Sequence, residues 1–332
     1  MKLTSAGILR INFRDFIPSD NRRLQCNYRC SYCNQAHVQQ VAFTETDFVQ
    51  ACLLWDSLQL IEDRLLVRVN FDGEIFADSY AQKICFYICG LPNVSRFEFV
   101  TNNSVDPGRY MKYLDPCKTV FNCSFHPEFI SIDKFIDHVR KIRSFGSRAF
   151  ATMVVKPQEV SRLKDIVVRF RDEGILFKPL LLLGYYQPTI PKTLRMTHKE
   201  ICRLLGVNTV FPQAYSAKAL ELIKKYYYSE AEFEYQYGKR TRNKLCRAGV
   251  DMINIFKDGT VMRCFDEKIG TVEDLLAGQI RLPQEPYSCH TETCQCPTHM
   301  IFLEDFWEHF VLSEDFADHY YARKGSANLE KT

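Results

Sequence analysis

Three cysteines stand within eight residues near the amino terminus, in the stretch CNYRCSYC, as Cys26, Cys30 and Cys33. Clustered thiolates bind metal, but a structural zinc site takes four protein ligands, and Cys26 lies one residue too far out for paired C-x2-C motifs. A thioredoxin-like redox pair would need only Cys30 and Cys33. An iron–sulfur cubane held by three thiolates leaves one iron for another ligand. The ligand count and the spacing favour the cluster.

A second cysteine group lies near the carboxyl end of the chain. Cys246 is followed by twelve residues, Gly259, four residues and Cys264. A β-hairpin that turns at Gly259 would bring these two thiols together, as ligands of one metal site must be. Three further candidates follow at Cys289, Cys294 and Cys296. An iron–sulfur cluster and a zinc ion both remain open for this group.

Bulk properties narrow the class of protein. The net charge of +3 over 332 residues is too small to indicate a nucleic-acid partner. No apolar run approaches the roughly 20 residues that a membrane span needs. These features predict a cytoplasmic protein, in which disulfides rarely persist. The six dispersed cysteines are therefore predicted to pack as small apolar side chains. They are Cys52, Cys85, Cys89, Cys117, Cys123 and Cys202.

Hydrophobic periodicity places the first cysteine group in a larger pattern. Six predicted strands alternate with helical segments, which predicts an α/β fold with a parallel sheet and right-handed crossovers. The repeat length suits a partial (β/α)6 TIM-like barrel, whose ligands bind at the carboxyl ends of the strands. The first triplet follows a predicted strand and should lie at that rim. Three polar clusters also follow strands and should lie there too: Asp72-Gly73-Glu74, Thr101-Asn102-Asn103, and Ser124 with His126. The predicted strands cover 7–13, 65–71, 96–103, 119–126, 148–155 and 175–184.

The alternation ends near residue 190. We predict a barrel at 1–190, a helical linker at 191–240 and a small second domain at 241–332. A β-hairpin at 251–265, turning at Asp258-Gly259, is expected inside that second domain.

The triplet resembles the signature of the radical S-adenosylmethionine (SAM) superfamily, with aromatic Tyr32 directly before the last cysteine. The resemblance extends through 6–185 in the order of elements. It implies that Cys26, Cys30 and Cys33 hold a [4Fe–4S] cluster and that SAM binds the fourth iron. One electron would then cleave SAM to methionine and a 5′-deoxyadenosyl radical, which abstracts hydrogen from a substrate.

The segment after the second barrel strand, Asp72-Gly73-Glu74, resembles the family's Gly-Gly-Glu. In the family, this segment holds the ammonium group of SAM through its backbone and carboxylate. Gly73 would keep the backbone open to close approach and Glu74 would keep the anion, whereas Asp72 departs from the first glycine. A plain turn after a strand remains the alternative.

Further SAM contacts are implied at the ends of other strands. Asn102, in Thr-Asn-Asn, resembles the family's Thr-Asn-Gly. Ser124 and His126 resemble a polar pair near the SAM ribose or carboxylate, and Tyr32 is expected to form a wall of the adenine pocket. Each strand-end residue could instead be a simple cap of its strand.

The carboxyl-terminal cysteines resemble the auxiliary-cluster domain called SPASM, or its shortened Twitch form. The full form needs about seven cysteines for two clusters. Five are present, which implies one auxiliary [4Fe–4S] cluster. The ligands expected from the resemblance are Cys246, Cys264, Cys294 and Cys296, with Cys289 as the weakest candidate.

The resemblance implies an oxidoreductase-type radical SAM enzyme that receives electrons from a flavodoxin or ferredoxin. The auxiliary cluster suits net oxidation or rearrangement of a small molecule. Only 25 residues precede the triplet, too few for an amino-terminal peptide-recognition domain. A maturase that crosslinks or epimerises a partner-delivered peptide remains an alternative. A non-catalytic iron–sulfur or zinc protein for electron transfer or binding is the alternative of another class.

Overall fold

Strands and helices alternate along the chain much as the periodicity predicts. The structure, a computed structural model, describes residues 1–15, 22–33, 39–182, 215–227, 233, 241–264 and 267–290. The described strands are β1 (Ile8–Arg14), β2 (Arg22–Leu24), β3 (Gln39–Val41), β4 (Arg64–Val69), β5 (Val94–Thr101), β6 (Thr119–Ser124), β7 (Arg148–Val155), β8 (Phe177–Leu181), β9 (Leu245–Cys246), β10 (Met252–Phe256), β11 (Thr260–Cys264), β12 (Glu267–Thr271) and β13 (Tyr287–Ser288).

Helices follow most of these strands. They are α1 (Glu45–Leu58), α2 (Ser79–Gly90), α3 (Ile132–Ser144), α4 (Leu163–Asp172), α5 (Ala217–Lys224) and α6 (Val272–Leu276). The weak helix predicted at 107–114 is a pair of short 3-10 turns. The helix predicted near 197–205 lies outside the described residues. Among the residues that the structure covers, no helix has both the length and the apolar character to cross a membrane.

The described chain divides into two compact units. The first comprises 1–149 and 248–285, and the second comprises 150–247 and 286–332. In the first unit the main sheet runs β12-β11-β10-β1-β4-β5-β6, and in the second β7 pairs with β8. The pairs β1–β4, β4–β5, β5–β6 and β7–β8 are parallel, so the predicted α/β class is confirmed. The boundaries predicted at 190 and 240 stay a prediction.

Helices of the first unit seal one face of its sheet. Leu9 and Phe13 of β1 are at most 1% exposed. Phe13 packs edge-on against Trp55 of α1, with ring centroids 5.4 Å apart. α1 begins at a capping box in which the Thr44 hydroxyl accepts from the Asp47 N–H and the Asp47 carboxylate accepts from the Thr44 N–H. This packing fixes the strand ends that carry the site.

The predicted hairpin exists, but it belongs to the main sheet of the first unit. Strands β10 and β11 pair antiparallel, and Gly259 has a φ of 81° at the turn. β10 also pairs in parallel with β1 along Arg10–Arg14. All five residues of β10 are buried. A strand that is buried on both faces belongs in the interior of a sheet rather than at its edge. Its pairing with β1 gives β10 this interior position.

The dispersed cysteines only partly follow the packing prediction. Cys85, Cys89 and Cys123 are buried, as expected for packing residues, whereas Cys52 is half-buried. Cys117 is exposed, so the prediction is wrong there, because Cys117 lies in the loop before β6 rather than in a periodic element. Cys202 lies outside the described residues.

We predict that Leu65→Ala lowers the free energy of unfolding by about 2–5 kcal/mol, because the fully buried side chain would leave a cavity. Leu53→Ala is the matched control, since Leu53 is 66% exposed. It should change the free energy by no more than about 0.5 kcal/mol. Denaturant titration of both variants measures the difference, and equal losses would contradict the burial.

Candidate functional site

The cysteine triplet lies in the loop that follows β2. Cys30 is buried, and Cys26 and Cys33 are half-buried. The Cys33 N–H donates to the Cys30 carbonyl at 3.2 Å, which closes a turn between the two. The Tyr28 N–H donates to the Cys26 sulfur at 3.4 Å. The loop thus holds its cysteines through its own backbone.

The loop packs backbone against backbone on the segment after β4. A Cβ atom on Gly73 would lie 2.3 Å from the carbonyl oxygens of both Leu24 and Gln25. The Glu74 N–H donates to the Gln25 carbonyl at 3.2 Å. A side chain at position 73 would therefore displace the strand that leads into Cys26.

Two carboxylates, the buried Asp15 and the half-buried Asp72, stabilise the same junction. Asp15 is 1% exposed and accepts hydrogen bonds from the Leu24 N–H at 2.7 Å and the Asp72 N–H at 3.1 Å. The Asp72 carboxylate lies 2.9 Å from the Arg23 guanidinium. Burial, together with the charge of Asp72, raises the pKa of Asp15 to about 7, while Arg14 opposes the shift. The departure from glycine at Asp72 thus supplies an ion pair to the cysteine loop.

The Glu74 carboxylate is buried and accepts hydrogen bonds from groups of the protein. It is 1% exposed and accepts from the Phe76 N–H at 3.1 Å, the Thr101 hydroxyl at 2.7 Å and the Asn102 N–H at 2.6 Å. Burial raises its pKa, although these donors favour the anion. Glu74 therefore joins the end of β4 to the end of β5. The contact with a SAM ammonium group stays a prediction.

The end of β5 reaches the cysteine loop through Asn102. Its amide nitrogen donates to the Asn27 side-chain oxygen at 2.9 Å and lies 3.8 Å from the Cys26 sulfur. Asn103 has a φ of 54°, where the resembled motif has glycine. Asparagine tolerates this left-handed conformation better than most residues. The substitution therefore keeps the backbone shape of the motif.

His126, just beyond β6, contacts the loop from another side. Its Nδ1 lies 2.6 Å from the Tyr32 hydroxyl and 3.3 Å from the Cys30 sulfur. Burial lowers the pKa of His126 to about 4, so the ring is neutral near pH 7 and can accept from either group. The Tyr32 ring also stacks on His126, at a centroid distance of 5.9 Å. Contacts of Tyr32 and Ser124 with SAM stay predictions.

Several contacts of the loop were not anticipated from the sequence. The Ser31 N–H donates to the Glu128 carboxylate at 2.9 Å. The rings of Tyr28 and Phe129 stack at 4.6 Å. No local motif marks Glu128 or Phe129. Asp15 could have been found, because it is a carboxylate directly after the first strand.

The thiols suit a cationic iron cluster. Burial raises the pKa of Cys26 to about 11 and that of Cys30 to about 12, with further increases from neighbouring thiolates. Such thiols ionise only beside a positive centre, which bound iron provides. Within the described residues, no three His, Cys, Asp or Glu side chains lie close enough to share one metal ion. The cluster expected at Cys26, Cys30 and Cys33 stays a prediction.

Among the carboxyl-terminal cysteines, two lie on one short ribbon. β9 pairs antiparallel with β13, with Cys246 opposite Tyr287. The Cys289 N–H donates to the Lys244 carbonyl at 2.8 Å, which places Cys289 on the same face as Cys246 and diagonal to it. Such diagonal neighbours lie roughly 7–8 Å apart. Cys264 ends β11 in the other unit, and Cys294 and Cys296 lie outside the described residues.

The fold is similar to that of several solved proteins. Native anSMEcpe with bound AdoMet and the Cp18Cys peptide matches at 13% identity with a TM-score of 0.52, over 95% of this chain and 95% of that chain. Its complex with the Kp18Cys peptide matches at 12% identity and 0.52, over 81% and 79%. Streptococcus suis SuiB bound to S-adenosylmethionine matches at 13% identity and 0.47, over 82% and 65%. No family model matches the sequence, and no curated protein does so at a significant level.

The likeness to AdoMet-bound anSMEcpe confirms the predicted α/β fold, a partial barrel. At 12–13% identity, the likeness establishes the fold, and the chemistry must be argued from the residues.

We predict that Gly73→Ala lowers the iron content of the reconstituted protein, because the new methyl group would push the Leu24–Gln25 backbone away. Gly90→Ala is the matched control, since no heavy atom lies within 4 Å of a Cβ there. Iron quantitation and circular dichroism should show cluster loss with retained fold for Gly73→Ala alone. Normal iron in Gly73→Ala would contradict the close packing.

Proposed function

We propose that this chain is a radical SAM enzyme of the oxidoreductase type. One observation carries the proposal. The C-x3-C-x2-C loop packs directly on the Gly73-Glu74 backbone, beside Asn102 and His126, at the carboxyl ends of parallel strands. This is the end of such sheets where ligands bind. An electron carrier would have no need of this polar rim.

The residues of the site have distinct roles in this proposal. Cys26, Cys30 and Cys33 would hold a [4Fe–4S] cluster through three thiolates. When bound, such a cluster supplies the electron that cleaves SAM to methionine and a 5′-deoxyadenosyl radical, which takes a hydrogen atom from the substrate. Gly73 and Asn102 position the loop, and His126 shields Cys30.

The proposed SAM contacts are the backbone of Asp72-Gly73-Glu74 and the side chains of Ser124 and Tyr32. Peptide carbonyls can accept hydrogen bonds from the SAM ammonium group even though the Glu74 carboxylate is occupied by protein donors. The Tyr32 ring, which stacks on His126, would form a wall of the adenine pocket. These roles extend the resemblance.

For the reaction itself, we propose net oxidation or rearrangement of a small molecule, with electrons supplied by a flavodoxin or ferredoxin. A single auxiliary [4Fe–4S] cluster in the carboxyl-terminal region would accept or relay an electron. Its proposed ligands are Cys246, Cys264, Cys294 and Cys296, and the β9–β13 ribbon now also supports Cys289 as a partner of Cys246.

A peptide substrate is the second candidate. The anSMEcpe structures, whose fold the chain shares, contain bound peptides. A peptide that a partner protein delivers to the rim would require no recognition domain in this chain. Deuterium transfer from a labelled substrate into 5′-deoxyadenosine separates the two candidates, because only the true hydrogen donor passes on its label.

Anaerobic incubation of the reconstituted protein with dithionite and SAM should yield 5′-deoxyadenosine and methionine. Cys30→Ala should reduce both products to the level of the protein-free reaction, because it removes a cluster ligand. Cys117→Ala, which changes an exposed thiol, should retain wild-type formation of both.

Liquid chromatography with mass spectrometry measures the products. An intact cluster spectrum in the wild type without any 5′-deoxyadenosine would sink the enzyme proposal. That result would favour the electron-transfer or binding class instead.

Iron quantitation tests the auxiliary cluster. The reconstituted wild type should hold about eight iron atoms per chain, whereas a single cluster gives about four. Cys246→Ala and Cys264→Ala should each lower the content to about four, and both should still cleave SAM without completing turnover. Unchanged iron in Cys246→Ala, or stoichiometric zinc in the wild type, would refute the auxiliary cluster.

A further inference from the structure

The side chain of His126 lies against a cysteine that is expected to bind iron. His126 follows β6, at the carboxyl end of that strand. Its Nδ1 atom lies 3.3 Å from the Cys30 sulfur and 2.6 Å from the Tyr32 hydroxyl oxygen. Both separations are hydrogen-bond distances, so the imidazole contacts a proposed iron ligand directly.

The neighbours of His126 hold its ring in place. The His126 carbonyl accepts hydrogen bonds from the Phe129 N–H at 2.9 Å and the Ile130 N–H at 3.2 Å, which closes a turn. The ring stacks on Tyr32 at a centroid distance of 5.9 Å and meets the Tyr28 ring edge-on at 5.8 Å. A side chain that is fixed by its packing keeps its polar atoms in one position. Nδ1 is therefore held beside the cysteine loop.

The charge of Cys30 decides which of the two atoms supplies the hydrogen. A neutral thiol can donate to an imidazole nitrogen, whereas a thiolate can only accept. Cysteine binds metal as the thiolate. With iron bound, attraction between the two atoms therefore requires that Nδ1 carries the hydrogen and donates it to the Cys30 sulfur. The Tyr32 hydroxyl can stay at Nδ1 as a second acceptor, because a hydroxyl both donates and accepts.

A donor at a ligand sulfur affects how readily an iron–sulfur cluster is reduced. Hydrogen bonds to the sulfurs are among the factors that set the reduction potential of such clusters. Reduction adds a negative charge, and a hydrogen bond strengthens as its acceptor gains charge. The donor therefore stabilises the reduced form more than the oxidised form. Cys26 accepts from a backbone group, the Tyr28 N–H at 3.4 Å, whereas the donor at Cys30 is a side chain that a substitution can remove.

We infer that His126 donates a hydrogen bond from Nδ1 to the Cys30 thiolate and thereby raises the reduction potential of the cluster that the triplet binds. His126 acts through Cys30 and not on the substrate. This role differs from the contact with the SAM ribose or carboxylate that the resemblance implied. The inference rests on the proposed function for the identity of the cluster, whereas the reduction potential can be measured without SAM cleavage.

Two substitutions of similar shape test the hydrogen bond. In His126→Asn the amide nitrogen can take the place of Nδ1 and still donate, whereas His126→Leu puts a methyl group there. A redox titration of the reconstituted full-length protein, followed by electron paramagnetic resonance without SAM, measures the potential of the signal that Cys30→Ala removes. His126→Leu should lower the equilibrium constant for one-electron reduction about tenfold, which is about 59 mV. His126→Asn is the matched control and should retain most of the wild-type potential.

A second measurement does not depend on the stability of either variant. In protein made with ¹⁵N-labelled histidine, pulsed electron paramagnetic resonance of the reduced cluster should show a weak ¹⁵N coupling, because the hydrogen bond links Nδ1 to a ligand sulfur. The coupling should be absent from His126→Asn, whose new amide carries no label. Should His126→Leu lose its iron, this coupling decides.

Three results would each overturn the inference. They are equal potentials in the wild type and His126→Leu, an equal drop in His126→Leu and His126→Asn, and no ¹⁵N coupling in the wild type. The equal drop would show that packing of the ring, and not donation, sets the potential. All three leave the proposed function intact, since they concern a cluster that has formed. A wild type without the Cys30-dependent signal would contradict the proposed function and this inference together.

Discussion

The site depends on one contact between backbone segments, in which no side chain lies between the cysteine loop and Gly73. The carbonyl oxygens of Leu24 and Gln25 occupy the space that a Cβ atom on Gly73 would need, so the cysteine loop rests directly on the end of β4. Cys26 begins immediately after this contact, and Glu74 immediately follows it. Glu74 in turn binds Thr101 and Asn102 at the end of β5. The positions of the thiols are thereby fixed by two adjacent strands of a rigid sheet and not by the loop alone.

Electrostatics reinforces this backbone contact. Asp15 binds the N–H groups of Leu24 and Asp72, and Asp72 pairs with Arg23. These groups connect β1, the cysteine loop and the end of β4 in a buried network. Buried networks of this kind are costly when incomplete and rigid when satisfied.

Much of this arrangement could be predicted from the sequence, because periodicity and strand-end polarity are local signals. The periodicity of apolar residues predicted the strands β1, β4 and β5. The triplet and Gly73 indicated which end of the sheet carries the site. The place of β10 was missed, because strand pairing between residues 10 and 252 is set by tertiary packing, although the segment MINIF, apolar except for Asn254, is compatible with a strand buried on both faces. The pairing of Asp72 with Arg23, and of His126 with Tyr32 and Cys30, depends on side-chain directions that no spacing rule supplies.

The central claim is that the loop, fixed by the Gly73 contact, presents three thiolates and leaves a coordination position for SAM. Electron paramagnetic resonance of the dithionite-reduced protein, recorded before and after addition of SAM, tests it most directly. The account predicts that SAM shifts the g values of the cluster signal, because a new ligand reaches the iron. A cluster signal that SAM leaves unchanged would contradict the account.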